Sequence, residues 1–215
     1  MTTELITATV NPAKSSPMRV LSTLAIGLLG GCALGIIARA WMRLITKDPE
    51  FTWRGTISIV AGFTIFGLAQ SIVAVARRRQ RRRWTLTIVR TIGAVAMLPL
   101  FVAAGSVMLP TVVGCGLASA RTEWRTTTRS LLLLVAAGPV LYVANDLIGF
   151  FGWSLHTLAG LAMMFAIYAT IVWATRFTFS AQADGWRPSR TAKLAVSLVT
   201  AALISILFVA GGGFK

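Results

Sequence analysis

Chemistry in this chain has few places to happen, because 215 residues hold only six carboxylates, one histidine and two cysteines. Asp146 lies inside an apolar run, "YVANDLIGFFGW", next to Asn145, and His156 follows ten residues on. Far upstream, "ARAWMRLITKDPEFTWRGT" at 38–56 places Arg39, Arg43, Asp48 and Glu50 between two apolar runs. A carboxylate buried in hydrocarbon is costly without a partner, and it can serve a proton relay when titratable neighbours sit close. The residues therefore leave two arrangements open. In one, Arg39 and Asp146 form a structural ion pair; in the other, Arg43, Asp48, Glu50, Asn145 and His156 join Asp146 in a polar cluster that takes a solute. The plainer reading of His156 is a boundary histidine hydrogen-bonded to loop backbone.

Other reactive constellations are missing from the sequence. There is no Gly-x-Ser-x-Gly elbow, no phosphate-binding loop and no HExxH pair. Ser154 stands two residues before His156, but a serine nucleophile also needs a positioned base and oxyanion donors. One histidine cannot supply two axial haem ligands, and Cys32 and Cys115 both fall within apolar runs. No catalytic residue, metal or cofactor is assigned, and the expectation is a chain that is not an enzyme.

The elements that must position these residues follow from composition. Hydrophobic residues make up 56% and charged residues 13%, with a mean hydropathy of +0.76. Soluble domains carry about a quarter charged residues, so lipid is the solvent for most of this chain. The apolar runs reach the ~20 residues that cross a ~30 Å hydrocarbon core as helix, and none alternates as a barrel strand does. The net charge of +15 lies in short clusters between these runs, where it acts as a topology signal; no soluble domain remains to bind nucleic acid.

Five spans stand at 20–38, 56–76, 131–150, 156–175 and 194–212. The 36 residues between Trp84 and Arg121 would measure ~54 Å as one helix, nearly twice the membrane thickness. Two short crossings with a turn near 103–106 fit better, giving a seven-span all-α bundle with the amino terminus inside and the carboxyl terminus outside. Six spans with a re-entrant segment around Pro110 are the alternative. The positive-inside rule favours seven, because six would move Arg121, Arg125, Arg129, Arg176, Arg187, Arg190 and Lys193 to the outer side. Trp41, Trp53 and Trp153 then mark the outer boundary, and Trp84, Trp124, Trp173 and Trp186 the inner one.

Gly27, Gly31 and Gly35 recur every fourth residue, forming a flat stripe suited to close helix packing within the bundle or to a homodimer. Pro99, Pro110 and Pro139 each remove a backbone donor and invite breaks. The run "RRRQRRR" supplies Arg77, Arg78, Arg79, Arg81, Arg82 and Arg83, each worth about 1 kcal/mol of attraction to an anionic inner leaflet. Residues 1–17 are rich in Thr, Ser and Pro and read as a mobile tail ahead of a single domain, 18–215. "LGGC" at 29–32 faintly imitates a lipoprotein cleavage box, but the apolar run continues past it.

"ARAWMRLITKDPEFTWRGT" followed by "ISIVAGFTIFGLAQ" resembles the best-marked segment of a group of small multi-pass membrane proteins of high-GC actinobacteria that have no assigned activity. The resemblance covers about forty residues, implies a plasma-membrane location and transfers no functional residue. Two function classes remain: a non-catalytic structural or assembly protein with a membrane-complex partner or a second copy, and a small-solute or ion transporter or channel with an outer-leaflet site at Asp146.

Overall fold

A computed structural model of the chain describes residues 17–46, 51–79, 83–104 and 106–180, with the side chains of 83 and 102–104 left aside. Every regular element among them is helical. The helices are α1 (Pro17–Leu44), α2 (Trp53–Arg79), α3 (Arg83–Val95), α4 (Leu98–Ala104), α5 (Leu109–Ala120), α6 (Thr126–Phe151) and α7 (Leu155–Phe179), with one 3-10 turn at Ser106–Met108. Among the described residues, five segments are long and apolar enough to cross a membrane: α1, α2, Trp84–Phe101, α6 and α7; Ser106–Ala120 is apolar but shorter. The run 194–212, expected to form a last span, lies outside the described residues, as do residues 1–16 of the expected tail. Pro17, placed in that tail by composition, instead opens α1.

Prolines set the breaks between 84 and 121. Pro99 has no N–H to return to Val95, so the α-helical ladder ends there and restarts. Met97 N–H bonds Ala94 O at 3.1 Å, a tighter i to i−3 step, and Phe101 N–H then bonds Met97 O at 3.2 Å. Pro110 sits in the first turn of α5, where a missing donor is harmless. The chain thus leaves one end of the bundle at Arg83 and comes back to it at Arg121.

Contacts between helix ends fix the two ends of the molecule. At one, Arg77 on α2 reaches Phe177 O on α7, Arg90 on α3 reaches Thr178 O, and Arg129 on α6 reaches Ala118 O on α5. At the other, His156 on α7 meets Leu44 O on α1. The arginine-rich end and the His156 end lie on opposite sides of the helix stack.

Two helices occupy the centre. From α2 the side chains of Phe63 and Phe66, and from α7 those of Met164, Ile167 and Ile171, are buried against Leu100 of α4 and Val112 of α5. Around this core the outward faces carry large apolar side chains such as Leu21, Leu134 and Leu155. Hydrocarbon rewards that arrangement, and helices associate there by close packing and hydrogen bonds rather than by expelling water. On α6 only Ala136 and Leu147 are buried, so it is the most peripheral of the long helices after the first turns of α1.

Candidate functional site

The His156 end is built by three helix termini. Gly152 adopts φ +66°, the left-handed region that favours glycine, and closes α6 with its N–H on Ile148 O. Ser154 then caps α7, its Oγ accepting from Thr157 N–H at 3.2 Å, while Thr157 Oγ1 donates to Gly152 O at 2.8 Å. That tight turn sets His156 in the first turn of α7 facing the end of α1. Its Nε2 lies 2.8 Å from Leu44 O. A carbonyl only accepts, so Nε2 carries the proton. Leu44 ends α1, and its carbonyl is one of the four that no intrahelical donor can reach.

One turn deeper, Trp41 Nε1 donates to Gly160 O at 2.8 Å, and its ring meets Tyr168 edge-on with centroids 6.4 Å apart. Trp41, expected at the outer boundary, is buried against α7, where the hydrogen bond gives its one polar atom a partner. Trp53, Trp153, Trp84 and Trp173 are exposed as boundary residues would be. Trp186 lies outside the described residues.

The expected Arg39–Asp146 ion pair is not formed. Arg39 Nε donates to Thr56 Oγ1 at 3.2 Å, so the guanidinium leans onto the first turn of α2. Equal depth brought Arg39 and Asp146 together on paper, but α1 packs on α2 and α7, and Asp146 stands on the exposed surface of α6. Asp146 and Asn145 make no hydrogen bond or ion pair with a described residue. Arg43 is exposed, with its guanidinium carbon 4.9 Å from the Phe51 ring centre, and Phe51 in turn packs edge-on to Trp53. Asp48 and Glu50 lie outside the described residues. Among the described members of the expected outer-face cluster, His156 is engaged with α1, Arg43 with an aromatic pair, and the polar pair Asn145–Asp146 faces outward.

The glycine stripe of α1 meets α2. A Cβ on Gly31 would stand 2.5 Å from Phe63 O, one on Gly27 equally close to the Ser71 side chain, and one on Gly35 2.9 Å from Val60 Cα. Gly67 answers from α2 against the backbone of Gly27 and Gly31. This face is occupied within the chain. A second set, Gly114 against Leu132 O and Gly116 against Thr175 and Phe179, draws α5 onto α6 and α7; the short "VVGCGLASA" carries that signal in its small residues.

At the arginine-rich end the basic run divides. Arg78 and Arg79 are exposed, whereas Arg77 turns inward, its Nη1 donating to Phe177 O at 2.9 Å and Ser180 O at 3.1 Å. Arg77 thus closes the C-terminal turn of α7, whose last carbonyls attract cations. Arg90 Nε does the same for Thr178 O at 2.7 Å. Arg81 and Arg82 lie outside the described residues, with the side chain of Arg83.

The polar residue that sequence reading passed over is Gln70, which is 3% exposed where α2, α3 and α7 meet near the arginine-rich end. Its Nε2 donates to Gly93 O at 3.2 Å, and its Oε1 accepts from Thr178 Oγ1 at 2.7 Å. A carboxamide in an apolar run has to be satisfied by its neighbours, and that requirement was the available signal. In comparison with known proteins, the chain matches no family model, no curated sequence and no solved structure.

Proposed function

We propose that this chain is a seven-span plasma-membrane protein, amino terminus inside and carboxyl terminus outside, that works without catalysis as an assembly subunit. In this reading the outer half of α6 binds a membrane helix of a second protein. The carrying observation is the pair Asn145–Asp146, exposed on α6 and without a hydrogen bond or ion pair to a described residue. A lone polar group facing hydrocarbon costs several kcal/mol, and a partner helix with an amide, Lys or Arg at matching depth removes that cost. Interior polar groups such as Gln70, Thr111 and Trp41 already have partners within the chain, which supports a dry, packed bundle rather than a conduit. The arginines gathered at one end support the assigned orientation, since basic residues concentrate on the cytoplasmic side.

The test is purification from native membrane of the wild type and of Asp146→Ala with Asn145→Ala. A stoichiometric partner retained by the wild type and lost by the variant is the expected result. A lone, monodisperse wild-type protein carrying a bound solute would overturn the assembly reading in favour of transport.

A further inference from the structure

Helix α6 buries one side and leaves the other open. Ala136 and Leu147, its two buried residues, stand eleven positions apart, close to three full turns, and so share one face. At about 100° per residue, Leu131, Leu134, Gly138, Asn145 and Gly149 fall within about 30° of the opposite direction, and all of them are exposed. Gly31 on α1 and Gly114 on α5 have backbone against them, but nothing lies within 4 Å of a Cβ built on Gly138 or Gly149. Asp146 sits beside this seam, about 90° round the helix from its centre. It lies five residues before Phe151, where α6 ends, so its Cα stands about 8 Å below the helix end.

We infer that the helix bound by α6 belongs to a different chain, lies along Leu134, Gly138, Asn145 and Gly149, and carries a Lys or Arg that pairs with Asp146. This partner specifies the assembly role proposed for α6 and rests on it. The amide and the carboxylate set different demands. Asn145, at the centre of the seam, is met by any polar group that a close helix contact brings across. Asp146, on the flank, is out of reach of a short side chain on a helix docked along the seam. A Lys or Arg gets there, because its stem lies along apolar surface while its charged head extends. Tyr142, 52% exposed and one turn earlier, offers its ring to the same cation. Charge argues against a second copy: two chains inserted the same way hold Asp146 at the same depth, so pairing α6 with α6 sets carboxylate near carboxylate. The described cations at the end of α1 are engaged elsewhere, Arg39 on Thr56 and Arg43 on Phe51.

The probe is a dye-labelled, leucine-rich transmembrane peptide with one lysine near an end of its apolar stretch, at the depth of Asp146; glutamine and leucine versions are the controls. Energy transfer from a dye on the full chain in phosphatidylcholine vesicles reads binding. The lysine peptide binds about tenfold more tightly than the leucine peptide, and Asp146→Asn, a change on the exposed face, removes the difference. Asp146→Lys moves the preference to a peptide with aspartate in place of the lysine. Gly138→Leu weakens binding of the lysine peptide by closing the approach, without lowering the melting temperature, since its Cβ meets nothing. Equal binding of the lysine and glutamine peptides overturns the inference, as does a lysine preference that survives Asp146→Asn. So does a photoactivatable residue at position 145 that crosslinks to α6 of a second copy or to the chain's own 194–212 run. A wild type that retains no partner from native membrane sinks both this inference and the assembly role. A partner retained equally by the wild type and Asp146→Asn sinks the inference alone.

Discussion

Thr178 Oγ1 donates to Gln70 Oε1 at 2.7 Å, joining α7 to α2 at a depth where water has no access to either residue. The same carboxamide donates to Gly93 O, so one side chain ties three helices. Interhelical hydrogen bonds in membranes average about 0.6 kcal/mol and reach about 1.7 kcal/mol. Gln70→Leu should sit at the upper end, lowering stability by ~1–2 kcal/mol, because it also strips Gly93 O of its donor. Thr178→Val should cost less. The double variant should be more stable than the sum of the two losses, since neither leaves the other's polar atom stranded. Thermal unfolding in detergent measures all three, and strict additivity would show that the pair is not coupled.

Adjacent glycines of α1 should behave oppositely. A Cβ at Gly31 meets backbone that cannot move aside, whereas nothing lies within 4 Å of one at Gly30. Gly31→Ala should lower stability by ~1–3 kcal/mol through overpacking. Gly30→Ala should be neutral or stabilise slightly, as alanine favours helix by up to about 1 kcal/mol. Equal melting temperatures for the two variants would contradict the α1–α2 packing.

The stripe also shows what was legible in the sequence. Four-residue spacing of Gly27, Gly31 and Gly35 names a helix face that something must approach, and hydropathy named the helices themselves. Neither says which neighbour stands there, because sequence fixes depth along a helix axis far better than direction around it. Arg39 and Asp146 match in depth and sign, yet Arg39 points toward Thr56 on α2 while Asp146 points away from the core. The direction of Trp41 was hidden for the same reason. Its position near a span end suits an interfacial ring, and only the neighbouring carbonyl of Gly160 draws it inward. Arg90 escaped notice because its partner is a backbone carbonyl, which every residue carries and no sequence pattern marks, and Gln70 because its partners, Gly93 O and the Thr178 hydroxyl, stand on helices far along the chain.

Two fastenings hold the end of α1 to α7, and removing them should be felt locally. Trp41→Phe keeps a ring but deletes the N–H, and His156→Ala frees Leu44 O. Each should cost about 0.5–1.5 kcal/mol. Hydrogen exchange at residues 41–46 should accelerate in the double variant, with residues 60–70 of α2 unchanged. Exchange that rises equally in both regions would mean that the contacts support the whole bundle instead.

Orientation is open to chemical labelling, since Thr46 and Thr122 are exposed at opposite ends. With Cys32 and Cys115 replaced by serine, a membrane-impermeant maleimide should label Thr46→Cys in intact cells and Thr122→Cys only after permeabilisation. The reverse pattern would invert the assigned topology, and labelling of both from one side would refute a bundle that crosses the membrane between them.

The clamps on the last turn of α7 set a timetable for synthesis. Arg77 finds Phe177 O one hundred residues downstream, and Gln70 finds Thr178 one hundred and eight residues downstream. At the usual 5–20 residues per second, α2 leaves the ribosome about 5–20 s before those partners exist. Gly93 arrives much sooner, so the Gln70 carboxamide has a provisional acceptor while the nascent chain waits. The α1–α2 hairpin can close on its glycines at once, and α7 arrives late as the wedge that locks α2 and α3 into register.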